Sequence, residues 1–500
     1  MTPSYGLSLL IFLPLLGGVP VLAAHRRPQA SRWIALAVSC LNLALIVALA
    51  WQGPAPQPGT VGTWWLTEER PWIGTLGIEF DLGLDGISLV LILLTAFLVS
   101  LSILISWKQI KDKVASFHFS LLLMESSVIG LFLARDLFLF YLFWEVQIIP
   151  VFPLVGIWGH ENRIRAALKF LSYTIAGSLF MLLAMVTLYL WHGDRVGVYT
   201  FSIGQLMGTP ISPAEEAWLF AAFVLAMAIK IPLVPVHMWL PDAHTEAPIA
   251  GSVVLAGILL KTGTYGLLRI AIPLFPLAAR AAGPFLLLLG LVGLFYTAWV
   301  AFAQKDIKRM VAYSSIAHMG LVVIGLMVWN VLTLNGALLQ MVNHGLSTSA
   351  LFMMVGMLNE RIATRQLADL GGLWKRMPVF GAFFLLFAMS AMGIPGLNNF
   401  VGEILILIGT FQAHPVVAVL GFTGMVFTLV YVLRMVQETL LGPSREEHDL
   451  WDVTPREILI LGVLAAAVVF IGLFPQPVLN ILDAPVRNLV EQTASLAAMR

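Results

Sequence analysis

Long apolar runs recur along almost all of this 500-residue chain, and they restrict what it can fold into. A run of about 20 apolar residues crosses the ~30 Å hydrocarbon core of a bilayer as one helix. Hydrophobic residues make up 59% of the sequence and charged residues 11%, whereas a soluble domain carries roughly 25% charged residues. The sequence therefore predicts an all-α polytopic membrane protein.

The apolar runs predict about fourteen transmembrane helices. Basic residues follow the first run rather than precede it, which favours a retained helix over a signal peptide. The predicted spans are 5–24, 32–51, 86–106, 116–134, 137–157, 166–190, 217–237, 250–270, 283–303, 310–328, 332–356, 379–410, 415–439 and 457–476.

Lysine and arginine concentrate in alternate loops, beginning with Arg26 and Arg27 and continuing with Lys108, Lys111 and Lys113. Loops that are rich in these residues stay on the cytoplasmic side of a membrane. We therefore expect both termini on the outer side of a prokaryotic cytoplasmic (inner) membrane.

Two spans carry helix breakers in mid-membrane. Pro232 and Pro235 interrupt the seventh span, and the motif MGIPGLNNFVGE interrupts the twelfth. Paired broken helices are typical of transporters built from two inverted repeats. We predict an N-terminal three-helix segment (1–115), five-helix repeats at 116–270 and 283–439 that each form a proton half-channel, and a C-terminal helix and tail (440–500).

Ionisable residues lie inside these apolar spans, where an ionisable side chain is costly and usually functional. The candidates for proton translocation are Glu145, Lys230, Lys261, His318, His344 and Glu403, with Glu125 and His237 as accessory candidates.

Burial favours a neutral lysine, whereas a nearby carboxylate favours a charged one. We expect Glu145 to lie close enough to Lys230 for these effects to nearly balance, so that a small movement adds or removes a proton. Simpler interpretations stay open. Lys230 can snorkel to the interface, Glu145, Glu125 and Lys261 can be structural, and either histidine can be a core residue.

Other chemistry finds little support in the sequence. The single cysteine, Cys40, cannot form an internal disulfide or hold an iron–sulfur cluster, and GILLKTG around Lys261 lacks the glycine of a phosphate-binding loop. His237 and His244 lack a third ligand at metal-site spacing. We expect no metal or cofactor in this chain, and the net charge of +1 gives no indication of nucleic-acid binding.

Several motifs resemble the antiporter-like proton-translocating subunits of respiratory complex I. They are FDLGLDGISL, LFLFYLFWEVQIIPVFPLVGIWG, AIKIPLVPVHMWLPDAHTEAP, QKDIKRMVAYSSIAHMG and the Gly-Ile-Pro-Gly stretch before Glu403. The resemblance covers about residues 80–440. A glutamate rather than a lysine in the twelfth span, and the absence of a long lateral helix after the fourteenth, resemble the chain-M type, called subunit 4 in mitochondria.

The resemblance implies roles for individual residues. In that family a glutamate of the fifth helix pairs with a lysine of the seventh, which corresponds to Glu145 and Lys230. The lysine of the eighth helix, here Lys261, forms a central relay, and the last group falls on Glu403. His318 and His344 match the histidines of the connecting hydrophilic axis.

The resemblance also implies a function and partners. The expected function is proton translocation as one membrane-arm subunit of a hetero-oligomeric NADH:quinone oxidoreductase, with NADH, FMN, iron–sulfur clusters and quinone in partner subunits. Three alternatives stay open: a multi-subunit cation/proton antiporter, a hydrogenase- or ferredoxin-linked pump, and an inert membrane scaffold.

Overall fold

The computed structural model describes residues 6–52, 64–443 and 450–499, and these ranges are almost entirely helical. The first part of the bundle contains membrane-length helices, two shorter helices that together form one span, and one helix of four residues. They are α1 (Gly6–Ala23), α2 (Pro28–Gln52), α3 (Gly86–Ile105), α4 (Val114–Leu133), α5 (Leu137–Val146), α6 (Ile148–Gly156), α7 (Arg163–Val196) and the short α8 (Ile203–Leu206).

The middle of the chain contains the first broken helix and an irregular span. These elements are α9 (Pro213–Lys230), α10 (Trp239–Glu246), α11 (Ile249–Val254), α12 (Leu260–Gly266) and α13 (Ile272–Leu274). Two π-helical turns, Leu255–Leu259 and Leu267–Ala271, join α11, α12 and α13 into one span.

The second part repeats the alternation of long and broken helices. It consists of α14 (Pro276–Ala303), α15 (Ile307–Val328), α16 (Val331–Ile362), the short α17 (Leu373–Arg376), α18 (Pro378–Ala391), α19 (Asn398–Ala413), α20 (Pro415–Leu440), α21 (Pro455–Leu473) and α22 (Gln476–Met499).

The predicted spans agree with the structure. Twelve segments in the described ranges are long and apolar enough to cross a membrane, with α5 and α6 forming one of them. The other two predicted spans contain the breaks: 217–237 covers most of α9 and the turn after it but not α10, and 379–410 covers most of α18–α19. The all-α polytopic fold is thus confirmed, whereas the repeat boundaries and the inverted relation of the repeats stay predictions.

Each break is closed by polar side chains or by neighbouring backbone. In the first, the indole Nε1 of Trp239 donates to the carbonyl of Ile229 at 2.8 Å. In the second, Asn399 donates to the carbonyl of Ser390 at 2.9 Å, and Gly393 and Gly396 have φ values of +70° and +90°. Backbone groups freed at mid-membrane depth thereby meet protein rather than lipid.

Two elements at one end of the bundle were not predicted. A β-hairpin, β1 (Leu66–Ile73) and β2 (Ile78–Leu84), precedes α3, and its Glu68 carboxylate accepts the backbone N–H of Leu7 at 2.7 Å. The C-terminal helix α22 packs against the starts of α3 and α16. The start of α1 and the C-terminal helix α22 therefore lie at the same end of the bundle.

Candidate proton-translocation site

Four of the predicted residues form one buried row, with a gap between its two histidines. Lys261 Nζ lies 2.8 Å from His344 Nδ1, and the ring centroids of His344 and His318 are 5.7 Å apart. His318 Nδ1 lies 3.4 Å from Glu403 Oε1. Each of the four residues is at most 4% exposed. The row connects the eighth predicted span, through α16 and α15, to the second broken helix.

The π-helical turn before Lys261 provides a partner for its ammonium group. Lys261 Nζ donates to the carbonyl of Ala256 at 2.5 Å, and Ala256 belongs to the turn Leu255–Leu259. A π turn disrupts the regular i→i−4 hydrogen bonding of a helix and commonly occurs at functional sites. The lysine is thereby held between a backbone acceptor and an imidazole.

Glu403 lies at the start of α19, among the polar groups of the second break. Its Oε1 accepts a hydrogen bond from Gln340 Nε2 at 3.2 Å, and Gln340 also approaches Asn399 at 3.5 Å. Asn399 in turn donates to Ser347 Oγ at 3.0 Å. Gln340 and Asn399 were missed as site residues, because amides in apolar helices carry no distinctive sequence signal.

Lys230 and Glu145 form no direct ion pair, although Glu145 lies close enough to interact with Lys230 electrostatically. Among the described residues, no ion pair within 4 Å joins them, and Lys230 Nζ lies 4.8 Å from the centre of the Trp144 ring. The indole face attracts the ammonium group. Lys230 is 1% exposed, and its Nζ has no hydrogen-bond partner in the described ranges, whereas Glu145 is only partly buried.

The region between the lysines also contains a buried amide. Thr262, the residue after Lys261, approaches Gln147 Oε1 at 3.5 Å. Gln147 lies one helical turn after Trp144, at the bend between α5 and α6, and its Nε2 finds no hydrogen-bond partner in the described chain. Gln147 therefore places a polar group beside the start of the row, one helical turn from Trp144.

The accessory candidates lie apart from the row. Glu125 is fully buried on α4 and accepts hydrogen bonds from Ser39 and Asn42 of α2, both at 2.8 Å. His237 packs edge-on against Tyr296, with ring centroids 5.7 Å apart. Neither is brought into hydrogen-bond contact with the four residues of the row. Within the described ranges, no group of three or more His, Cys, Asp or Glu side chains could hold a metal ion.

Gly393 should be sensitive to substitution because it packs against Glu403. An added Cβ would lie 2.1 Å from Glu403 Oε2. We expect Gly393→Ala to displace the carboxylate and lower the pumping rate of the assembled complex, measured as NADH-driven acidification of inverted vesicles.

Gly396→Ala is the matched control for Gly393→Ala. It incurs a similar backbone cost, about 1–3 kcal/mol for a non-glycine residue at positive φ, but its Cβ would lie 4.0 Å from the nearest side-chain atom, in Leu473. Equal loss of pumping in both variants would contradict the role of the Glu403 contact.

These features define a class of protein: a polytopic membrane protein with two broken helices and a buried row of protonatable side chains. A family model described as "NADH:quinone oxidoreductase/Mrp antiporter, TM" matches residues 134–428. The chain belongs to this family, and within it to the antiporter-like subunits of the complex I type, as the motifs predicted.

The two subunit M relatives match this sequence along nearly their full lengths. NADH-quinone oxidoreductase subunit M of Pseudomonas aeruginosa is 45% identical and that of Escherichia coli K12 is 43% identical, with 96% of both chains covered in each case. A chain of respiratory complex I from Thermus thermophilus matches with a TM-score of 0.87 and 30% identity over 99% of both chains. A chain of the Mrp complex from Dietzia shares the fold, with a TM-score of 0.82, 22% identity, and 99% of this chain and 55% of that chain covered.

Proposed function

We propose that this chain moves protons across the membrane along the row Lys261–His344–His318–Glu403, driven by NADH:quinone oxidoreduction in partner subunits. The observation that supports this most directly is the contact of Lys261 with His344, from which the two histidines lead to Glu403. Lysine, imidazole and carboxylate side chains each bind and release a proton without a metal ion. NADH, FMN, iron–sulfur clusters and quinone are assigned to partner subunits, and none to this chain.

Proton transfer along the row needs alternating donors and acceptors. A protonated Lys261 donates to Ala256 and His344, which leaves the Nδ1 atom of His344 as an acceptor and its Nε2 free to carry a proton. Rotation of a ring or one bridging water spans the gap between the two imidazoles. His318 then faces the Glu403 carboxylate, which completes a path from the eighth span to the second break.

Lys230 controls occupancy of the row in this proposal. Its ammonium group rests on Trp144 and has no hydrogen-bond acceptor among the described residues, so it is held less firmly than Lys261. Movement of Glu145 toward Lys230 would favour its charged form, and withdrawal would favour release of the proton. Work is available for this step, because one charge moved across 100 mV corresponds to about 2.3 kcal/mol.

We place the chain in a prokaryotic inner membrane with both termini outside. The same-side arrangement of α1 and α22 supports an even number of spans, and the basic residues of the opposite loops support the orientation. Arg445, one of those basic residues, lies outside the described ranges. Cation/proton antiport remains the alternative, and the relatives favour complex I because subunit M sequences match over 96% of both chains.

Replacement of His344 tests whether the row conducts as a series. We expect His344→Leu to lower the rate of NADH-driven acidification of inverted vesicles about tenfold per assembled complex, which corresponds to ~1.4 kcal/mol of added barrier. The leucine removes the only protonatable group that touches Lys261 in the row.

His118→Leu is the control, since His118 is equally buried but lies on α4, where it contacts the carbonyl of Val114 at 2.7 Å. Native gels report assembly of each variant. Normal pumping by the assembled His344→Leu complex would refute the series arrangement. If this unchanged rate also required sodium ions, the result would favour the antiporter alternative.

A further inference from the structure

One groove of the molecule has no part in proton transfer. It lies at the end of the bundle that carries the hairpin and α22, and it has a volume of about 870 Å³. Its walls come from α14, the end of α15, the start of α20 and the last turns of α22. Volumes of about 300–1,000 Å³ are usual for small-ligand sites, so the groove is large enough to hold a specific molecule.

The lining is polar at one end and apolar along the rest. Arg280 and His414 supply the polar groups, and Leu287, Leu288 and Leu291 belong to the apolar part. Arg280 and Leu291 are eleven residues apart on α14, which corresponds to ~16 Å along a helix. One leaflet of a bilayer contributes about half of the ~30 Å hydrocarbon core. The groove therefore has the length and the polarity of one leaflet.

The basic group at its entrance is not neutralised by this chain. Arg280 is exposed and forms no ion pair or hydrogen bond with the residues that the structure describes. The indole Nε1 of Trp329, another lining residue, is buried and has no hydrogen-bond partner there. A guanidinium and an indole N–H are both donors, and a phosphate ester offers several acceptor oxygens.

We propose that the groove binds a phospholipid with an anionic headgroup. The phosphate lies at Arg280, and an acyl chain follows α14 toward Leu291. Two acidic residues of α22 precede or lie among the groove-lining residues of that helix. Both interact with Arg487 rather than with Arg280: Asp483 pairs with it at 2.7 Å, and Glu491 interacts with it electrostatically. The positive charge of Arg280 therefore stays available to an anionic headgroup. The lipid would fill the space between α22 and the bundle.

The test uses the intact complex with phospholipids that carry a photoreactive group on the acyl chain. Phosphatidylglycerol and phosphatidylcholine probes are compared, and labelled peptides are identified by mass spectrometry. We expect phosphatidylglycerol to label α14 and the last turns of α22 about fivefold more than phosphatidylcholine, the factor for ~1 kcal/mol from one basic residue near the membrane surface.

Two variants separate the headgroup from the groove. Arg280→Gln should remove the preference for phosphatidylglycerol, whereas Arg195→Gln, which loses a basic residue at the end of α7 outside the groove lining, should keep it. Gly283→Trp should reduce labelling by both lipids, because an added Cβ meets nothing within 4 Å and the indole can enter the groove. Gly462→Trp on α21, where Cβ also meets nothing within 4 Å, is its control.

The proposal fails if these peptides are not labelled, or if both lipids label them equally and Arg280→Gln has no effect. Crosslinks from the groove to a neighbouring subunit would also overturn it, because a protein would then occupy the space. Proton pumping serves as an independent readout, so that failure of the lipid site leaves the proposed function untouched.

Discussion

Lys230→Ala is expected to lower NADH-driven proton pumping at least ~tenfold. The substitution removes the protonatable group that controls occupancy of the row, which adds more than ~1.4 kcal/mol to the barrier for proton transfer. The complex should still assemble. Lys230 Nζ has no hydrogen-bond partner among the described residues, so its removal breaks no hydrogen bond there; the contact with Trp144 and the electrostatic interaction with Glu145 are lost. Acidification of inverted vesicles, normalised to assembled complex, measures the effect.

Lys230→Arg distinguishes charge from proton exchange. A guanidinium keeps the positive charge and the stacking on Trp144, but it stays protonated at all relevant pH values. We therefore expect Lys230→Arg to pump as poorly as Lys230→Ala. Lys169→Ala is the control, since Lys169 pairs with Asp242 at 2.6 Å outside the row. Normal pumping by the arginine variant would show that Lys230 contributes charge alone.

Lys261→Met should be equally severe for pumping and somewhat worse for stability. The substitution removes the first group of the row, and the buried carbonyl of Ala256 loses a donor, which costs about 1–3 kcal/mol. Pumping per assembled complex should fall at least ~tenfold, and the midpoint of thermal unfolding should decrease.

Lys308→Met is the matched control for Lys261→Met. Lys308 is also buried, and its Nζ donates to the carbonyl of Ala247 at 2.5 Å, so that its loss has a similar structural cost. Lys308 does not contact His344 among the hydrogen bonds of the described chain. Equal pumping defects in the two variants would attribute the effect to loss of a buried lysine in general, and the row would lose its support.

The spans and their breaks could be predicted because each depends on local sequence. Twenty apolar residues form a helix in lipid whatever they pack against, and Pro232 and Gly393 lie where the two helices break. The six candidates for the site were found in the same way, as ionisable groups in apolar runs. Four of them lie in the row that the structure contains.

Features that depend on packing could not be predicted in the same way. Lys230 lies over Trp144 and forms no ion pair with Glu145 among the described residues, and residue spacing does not determine which neighbouring side chain a lysine contacts. The π-helical turn Leu255–Leu259 likewise packs closely against α16, since a Cβ added at Gly257 would lie 3.5 Å from the Gly345 carbonyl, and the sequence does not show this contact.

The hairpin and α22 did leave sequence signals. Ile78, Phe80, Leu82 and Leu84 alternate as in a strand, and the buried residues Leu482, Val486 and Leu489 recur at helical spacing. Neither segment is hydrophobic enough to resemble a membrane span, so a prediction based on long apolar runs does not include them.

The π-helical turn Leu255–Leu259 also fixes the rotational phase of its span. A π turn accommodates about one residue more than an α-helical turn, and each residue rotates an α-helix by about 100°. In a regular helix with the same sequence, Lys261 would point about a quarter-turn or more away from His344. The segment before the turn can therefore pack against α3 and α16 independently of where the segment after it directs the lysine.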